Sequence, residues 1–291
     1  MGRTRSARQA TTSFVYLAPS FFLLGMVLFS PVVYAFWFSL FRIEYGAPVA
    51  FGGLENFEHL LSDPTLGHTF GRTVLHSGSA VALTMVLALA LACWIHRLPS
   101  RLALIVQIIV IVPWIISTIV ATLLFRWVFI NDIGIAAYAA QAIAGVAMQP
   151  LTTPAGAMTL LIVVSVWKRL GYALIVLLAG LKSIPGDYEE AARIDGASGW
   201  QVFRLITLPL LKTALLLTAV VLTLSNINTV ETPLILTGGG PRDATRVLAI
   251  DVYERAFAIF DLGSATALAL LMFAANILLV LAYVRLARWR V

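Results

Sequence analysis

The chain is poor in charge. Only 12% of its 291 residues are Asp, Glu, Lys or Arg, against 60% hydrophobic ones, whereas soluble domains carry about 25% charged residues. So few charges cannot cover the surface of a water-soluble fold of this length, and the mean hydropathy of +0.93 agrees. There is one cysteine, Cys93, inside an apolar run, which excludes an intrachain disulfide and a cysteine-based metal site. The histidines, His59, His68, His76 and His96, are scattered, with no pair at i, i+4 spacing on one segment, so no metal site is expected. No G-x-x-x-x-G-K-[ST] run is present. Gly238-Gly239-Gly240 is followed by Pro241 and Arg242, without the lysine and hydroxyl that hold phosphates and magnesium. The chain is therefore not expected to hydrolyse ATP. It also lacks paired catalytic carboxylates, a Ser-His pairing and a metal-ligand cluster, which sets an intramembrane enzyme aside.

What the chain does have is long apolar runs. They are continuous rather than alternating, which points to helices in a membrane and not to a barrel. Read at about 20 residues per crossing, they give six spans, at about 14–40, 74–95, 102–125, 155–181, 208–228 and 263–286. Pro113 inside the third is an expected kink. The predicted fold is an all-α integral membrane protein with six transmembrane helices, forming one transmembrane domain over 1–291. The run from Ile133 to Met148 is only about four turns, short for a span, and is expected to be a helix lying at the surface. Arg3, Arg5 and Arg8 precede the first apolar run, and Val33-Tyr34-Ala35 resembles a cleavage site. The run is longer than the 7–15 residues of a signal-peptide core, so it is expected to remain as the first span.

The net charge is +6. With both termini inside, the inner segments hold 12 basic and four acidic residues, and the outer segments six and ten. Basic residues mark the cytoplasmic side, so the termini and the segment 182–207 are expected in the cytoplasm. The basic balance then reflects membrane orientation and not nucleic-acid binding.

That segment is unusual. The stretch IPGDYEEAARIDGASGWQVFRLITLPLL, from Ile184 to Leu211, carries four acids and two arginines between apolar runs. Asp187 with Glu190 three later predicts a capping box that opens a short helix, and Gly196 predicts its end. Ser198 with Gln201 predicts a second capping box and a second helix. The first helix brings Tyr188, Ala191 and Ala192 near one another, with Glu189, Glu190 and Arg193 around them. Such a face suits a small docking helix, and also an amphipathic loop lying on the membrane.

Glu190-Ala191-Ala192, Gly196 and Ile206-Thr207-Leu208-Pro209 match the EAA signature of permease subunits of binding-protein-dependent ABC importers. The surrounding text from Ala179, GLENFEHLLSDP at Gly53 to Pro64, Trp167-x-x-x-Gly171-Tyr172, and LTGGGP at Leu236 to Pro241 resemble the carbohydrate branch, of the maltose and glycerol-phosphate type. The resemblance spans nearly the whole chain. It implies a cytoplasmic coupling loop at 182–207, between the fourth and fifth spans, that docks on an ATPase. Its coupling residues would be Tyr188, Glu189, Glu190, Ala191, Ala192, Arg193, Asp195 and Gly196. Glu190 would pair with a basic residue of the ATPase, and Gly196 would allow the turn.

The implied partners are a second six-span permease of a different, related chain, two cytoplasmic ATPase subunits and an external solute-binding protein. That protein would dock on outer loops such as 238–255. ATP and magnesium would sit on the ATPases, leaving no cofactor in this chain. The implied setting is the cell membrane of a bacterium or archaeon, among its lipids, with no nucleic acid. The implied function is import of a di- or oligosaccharide by alternating access. The same machine could instead carry glycerol phosphate or another small solute. An ion-driven carrier would show inverted repeats and broken helices around a midplane ion site, and no such repeat is seen.

Polar groups inside spans usually face a cavity or another subunit. Asn226, Asn228 and Glu231 fall near the outer end of the fifth span. Amides and a carboxylate suit a sugar's hydroxyls, but the same residues would also cap a helix end. Lys168 and Arg169 lie near the middle of the fourth span. They either pair with carboxylates or carbonyls at a subunit seam or line the pathway, where a cation would offset the desolvation of a phosphate. Trp167 either packs or stacks on a sugar ring. Trp37, Trp94, Trp114 and Trp127 suit interface anchoring or packing.

Overall fold

The structure, a computed structural model, describes residues 2–44, 47–131, 133–145 and 149–288. Among the described residues, four helices are long and apolar enough to cross a membrane: Tyr16–Ser39, Pro64–His96, Pro154–Lys182 and Leu262–Leu286. The number rises to six if each of two bent helix pairs counts as one span. The four straight spans lie where hydropathy put the first, second, fourth and sixth, although the second begins earlier than expected, at Pro64.

Contacts divide the chain into two compact units, Met1–Asp63 with Val252–Ala274, and Pro64–Asp251 with Ala275–Val291. The first unit contains α1 (Gly2–Ser39), strands β1 (Phe41–Glu44) and β2 (Ala47–Phe51), and α2 (Glu55–Ser62). The antiparallel hairpin departs from the all-helical expectation. Phe41 and Phe51 face each other across it with ring centroids 5.4 Å apart in an edge-on arrangement, the kind of cross-strand aromatic pair that stabilises a ribbon. Asn56 of α2 holds the entry to the hairpin by donating to the carbonyls of Ser39 (2.8 Å) and Phe41 (2.9 Å). Arg42 and Glu55 add a forked ion pair, and this guanidinium holds the Glu55 carboxyl below its usual range. Gly263 has no room for a side chain, because an added Cβ would lie 2.6 Å from the Phe41 carbonyl oxygen.

The second unit contains α3 (Pro64–His96), α4 (Ser100–Ile115), α5 (Thr118–Phe129), α6 (Ile135–Ala144), α7 (Pro154–Lys182), α8 (Gly186–Ile194) and α9 (Gly199–Val202). A π-helical turn, Phe203–Thr207, leads through α10 (Leu208–Leu210) to α11 (Lys212–Ile227) and α12 (Glu231–Thr237). The unit also holds the first part of α13 (Leu248–Phe257) and the end of α14 (Leu262–Arg288). The short helix expected over 133–148 is present as α6; residues 146–148 lie outside the described residues.

Helix α7 is the axis of this unit. Half of its most apolar window is buried by protein, against none for α1. It starts cleanly because Thr153 caps it, its hydroxyl accepting from the Gly156 amide (3.2 Å), and Pro154 takes the first helical position, where a missing N–H costs nothing. Leu174, Leu177 and Leu178 pack with Ala88, Ala92 and Ile95 of α3 and with Leu211 and Leu222. The small residues let backbones approach, the usual way of packing helices in lipid. At Gly171 an added Cβ would lie 2.6 Å from the Val110 carbonyl oxygen of α4, and at Gly180 it would lie 2.8 Å from the Ala214 Cβ of α11.

The expected third and fifth spans are broken. The third is α4 plus α5, bent by 96°, and the fifth is Gly199–Leu210 plus α11, bent by 65°. Proline explains each position. Pro113 removes a helical N–H, and the helix ends two residues later, with Ile116 and Ser117 extended. Pro209 acts in the same way just before Leu211, whose amide bonds back to Thr207 (2.9 Å).

Candidate functional site

Two sets of polar residues stand out in the second unit. The first is the charged segment. Helix α8 begins at Gly186, behind Pro185, and no side chain caps it. The expected Asp187–Glu190 capping box is therefore absent. Pro185 starts the helix two residues earlier, which puts Asp187 inside its first turn, where it can only face the helix dipole. The other end follows expectation. Gly196 adopts φ +84°, the Ala197 amide bonds to the Ala192 carbonyl (2.9 Å), and the Gly196 amide bonds to Arg193 (3.1 Å). This is a Schellman turn, which needs a residue with free access to positive φ. The second capping box also forms. Gln201 Oε1 accepts from the Ser198 amide (2.7 Å), and Ser198 Oγ accepts from the Gln201 amide (3.4 Å).

No residue of α8 is buried. Tyr188 is 55% exposed and Ile194 80%. Arg193 and Glu189 form an i, i+4 pair (3.4 Å). Glu190 is exposed and makes no ion pair among the described residues. Behind the helix lies a cavity of about 380 Å³, lined by residues that include Cys93 and His96 of α3, Arg97 just after it, Glu189, Arg193 and Phe203.

The second set lies along α7. Trp167 packs edge-on against Phe125 of α5, with centroids 5.0 Å apart. Lys168 is 8% exposed. Its ammonium donates to the backbone carbonyls of Pro113 (2.9 Å), Trp114 (3.2 Å) and Ile116, at the broken end of α4. An ammonium has three N–H donors, and all three are used. Arg169 turns to α11, with Nε donating to Ser225 Oγ (2.9 Å) and Nη2 to the Ser225 carbonyl (3.0 Å). Its Nη1 is enclosed and has no partner.

Asn226 is 1% exposed. Its amide nitrogen donates to the Leu222 carbonyl (2.8 Å), and its Oδ1 is enclosed without a partner. Asn228 closes α11, donating to Leu224 (2.7 Å) and accepting from Asn276 of α14 (3.0 Å). Glu231 opens α12 and accepts the Thr229 hydroxyl (3.0 Å). Its charge reaches Arg169, although no carboxylate lies within ion-pair distance of that guanidinium among the described residues.

Sequence reading missed the partners that organise this set. Ser225, Asn276 and the Thr223–Tyr283 hydroxyl contact (3.0 Å) carry no pattern in the sequence. His76 of α3 and Ser165 of α7 also pair (3.0 Å), both fully buried. A polar residue on an otherwise apolar helix face was the available signal.

These features define a multi-pass helical membrane protein with a polar seam between its inner helices and an exposed charged helix between two spans. Comparison with known proteins makes the assignment specific. The family described as the binding-protein-dependent transport system inner membrane component matches residues 85–291, and the chain belongs to it. The chain is 34% identical over 260 residues to the sn-glycerol-3-phosphate transport system permease protein UgpA of Brucella abortus, covering 89% of this chain and 88% of that one. It is 31% identical over 275 residues to the sulfoquinovosyl glycerol transport system permease protein SmoG of Agrobacterium fabrum (94% and 89%). It is 30% identical over 285 residues to the trehalose/maltose transport system permease protein MalF of Thermococcus litoralis (97% and 96%). In fold it resembles a chain of a bacterial ABC transporter that imports the acidic polysaccharide alginate, with a TM-score of 0.82 at 20% identity over 100% of this chain and 99% of that one. A second structure of a bacterial alginate ABC transporter, in complex with an alginate-pentasaccharide-bound periplasmic protein, gives 0.83 at 21% identity over 98% and 96%.

Proposed function

We propose that this chain is the transmembrane subunit of an ATP-driven carbohydrate importer. It passes a sugar from an external binding protein to the cytoplasm by alternating access, driven by separate ATPase subunits. The relatives' names support sugar or sugar-like cargo and permease partners. The observation that carries the reading is α8, a short helix with no buried residue, closed by a Schellman turn, with Tyr188, Ile194 and Glu190 exposed and Glu190 in no ion pair among the described residues. A helix that buries nothing in its own chain needs a partner surface to hold it. In this reading Tyr188, Glu189, Glu190, Ala191, Ala192, Arg193, Asp195 and Gly196 form the surface that the ATPase grips, on the cytoplasmic side with both termini. ATP and magnesium belong to the ATPase pair, and a second permease of related sequence completes the pore. Asn226, Asn228 and Glu231 supply hydrogen bonds to the sugar's hydroxyls, and Trp167 flanks them in α7.

Glu190→Ala and Gly196→Asp test the reading. Each should abolish uptake while leaving membrane insertion intact, and wild-type uptake in both would sink it. Purification of the tagged chain from mild detergent should also recover an ATPase and a second permease. Recovery of this chain alone would favour an ion-driven carrier, for which the two broken helix pairs would then be the relevant feature. The relatives' names leave the sugar's charge open, because trehalose and maltose are neutral whereas glycerol phosphate and sulfoquinovosyl glycerol are anionic.

A further inference from the structure

We infer that the substrate is an anionic carbohydrate, a sugar bearing a carboxylate, sulfonate or phosphate, and that Arg169 binds its anionic group. The inference rests on the carbohydrate-import reading above and narrows its substrate class.

Two adjacent cations project from the middle of α7, and they are used differently. Lys168 gives its three N–H groups to the carbonyls of Pro113, Trp114 and Ile116 and has no donor left for a ligand. Arg169 gives Nε and Nη2 to the hydroxyl and carbonyl of Ser225. Those two bonds fix the plane of the guanidinium, which is what pre-organises an arginine for an oxyanion. Its Nη1 remains enclosed without a partner.

An arginine held inside a membrane span is costly to keep unless an opposite charge meets it. Among the described residues no carboxylate lies within ion-pair distance. Glu231 acts on Arg169 only from farther away, and its Oε2 accepts the Thr229 hydroxyl. Ser225, which holds the guanidinium, is followed by Asn226, whose buried Oδ1 also lacks a partner. One unfilled cationic donor and one unfilled neutral acceptor are thus carried by facing helices. A molecule with an oxyanion and a hydroxyl supplies both complements. A neutral sugar satisfies Asn226 and leaves the charge of Arg169 uncompensated.

The test uses the complete importer, with its own partner subunits and binding protein, in proteoliposomes. The paired probes are digalacturonate against maltose, and glycerol 3-phosphate against glycerol, with uptake and ATP hydrolysis as readouts. The wild type should take up the anionic member of a pair. A charge-assisted hydrogen bond corresponds to about tenfold to a hundredfold in affinity, so Arg169→Gln should raise KM for the anionic probe by that factor. Arg169→Lys should fall between, keeping the charge and losing the fork. Ser225→Ala removes one tether and leaves the guanidinium in place, and it should cost less than Arg169→Gln. A wild type that imports maltose and neither anion overturns the inference and leaves the import reading intact. Ser225→Ala matching Arg169→Gln would also overturn it, because that result makes Arg169 a strut between α7 and α11. If the Arg169→Gln complex does not assemble, wild-type probe preference and the Arg169→Lys KM decide. Import of no probe, with no ATPase bound to the chain, would sink the broader import reading instead.

Discussion

Replacing Lys168 by Met isolates the cation that the structure uses for architecture. The change keeps the length and most of the volume of the side chain and removes three donors. The carbonyls of Pro113, Trp114 and Ile116 then lose their partner at a point where the bend of 96° leaves no helical amide to replace it. Each buried carbonyl left unsatisfied costs about 1–3 kcal/mol, or about 3–9 kcal/mol for three. Removing a buried ammonium returns several kcal/mol of its desolvation penalty. The net loss should be about 2–4 kcal/mol, on the order of 5–10 °C in Tm for a chain of this size. Cys93 is the single cysteine and is only partly exposed, so a thiol-reactive dye reads unfolding directly in detergent. Uptake of every probe that the wild type imports should fall by the same factor, because Lys168 acts on the α4–α5 corner and not on cargo. A variant with wild-type Tm that has lost uptake of the anionic probe alone would refute this reasoning and make Lys168 the pathway cation.

Gly171→Ala places a Cβ 2.6 Å from the Val110 oxygen and 2.9 Å from the Ile111 Cα; both are backbone atoms that cannot swing aside, so a loss of about 1–3 kcal/mol should appear in the same thiol assay. Ser198→Ala removes the side-chain half of a formed capping box and should destabilise that short helix by about 1 kcal/mol, read as faster hydrogen exchange at the Gln201 amide. The Glu55 carboxyl is held low, first by its hydrogen bond to Arg42. Its contribution to the hairpin is therefore complete above the ordinary value of 4.5 and is lost as pH falls through the lower folded value. Hydrogen exchange in β1 and β2 should rise on acidification below that point, and Arg42→Ala should weaken the pH dependence, leaving the smaller part that His59 supplies.

Much of the architecture was legible in the sequence because hydropathy is a property of runs, and four runs became unbroken helices where expected. The breaks were harder to read. Pro113 was visible as a kink, but a 96° corner also requires something to satisfy the freed carbonyls. That group is Lys168, more than 50 residues away in the chain. The sequence marked Lys168 and Arg169 as two buried cations of the same kind; only packing separates one bonded to a helix end from one with a donor left over. At Asp187 the local rule failed because Pro185 competes for the helix start, and proline sets the backbone more firmly than an acidic side chain does. At Gly196 and Ser198 no competing signal exists nearby, and the local chemistry prevailed. Asn226, Asn228 and Glu231 were legible as polar groups near a span end, but Asn276 and Thr229, the partners of Asn228 and Glu231, were not, since a helical hydroxyl or amide is commonplace until its neighbour is known.

The consecutive residues of α7 reach different neighbours. Trp167 meets α5, Lys168 holds the end of α4, Arg169 holds α11, and Gly171 lets α4 approach. Two residues before the C-terminus of α7, Gly180 lets α11 approach as well. Both broken helix pairs are thus fastened to one straight rod, which ends at Lys182, four residues before α8 begins. Close-packed interiors shift between discrete arrangements and do not deform smoothly. Under the proposed coupling, a load applied to α8 therefore enters α7 on one side and, through Phe203–Leu210, α11 on the other. Those are the two helices that Arg169 and Ser225 tie together, so motion between them would change the donor and acceptor geometry at Arg169 and Asn226 first. Binding at that seam and force at α8 act on the same pair of helices, which is the mechanical requirement for an importer whose fuel is burned in another chain.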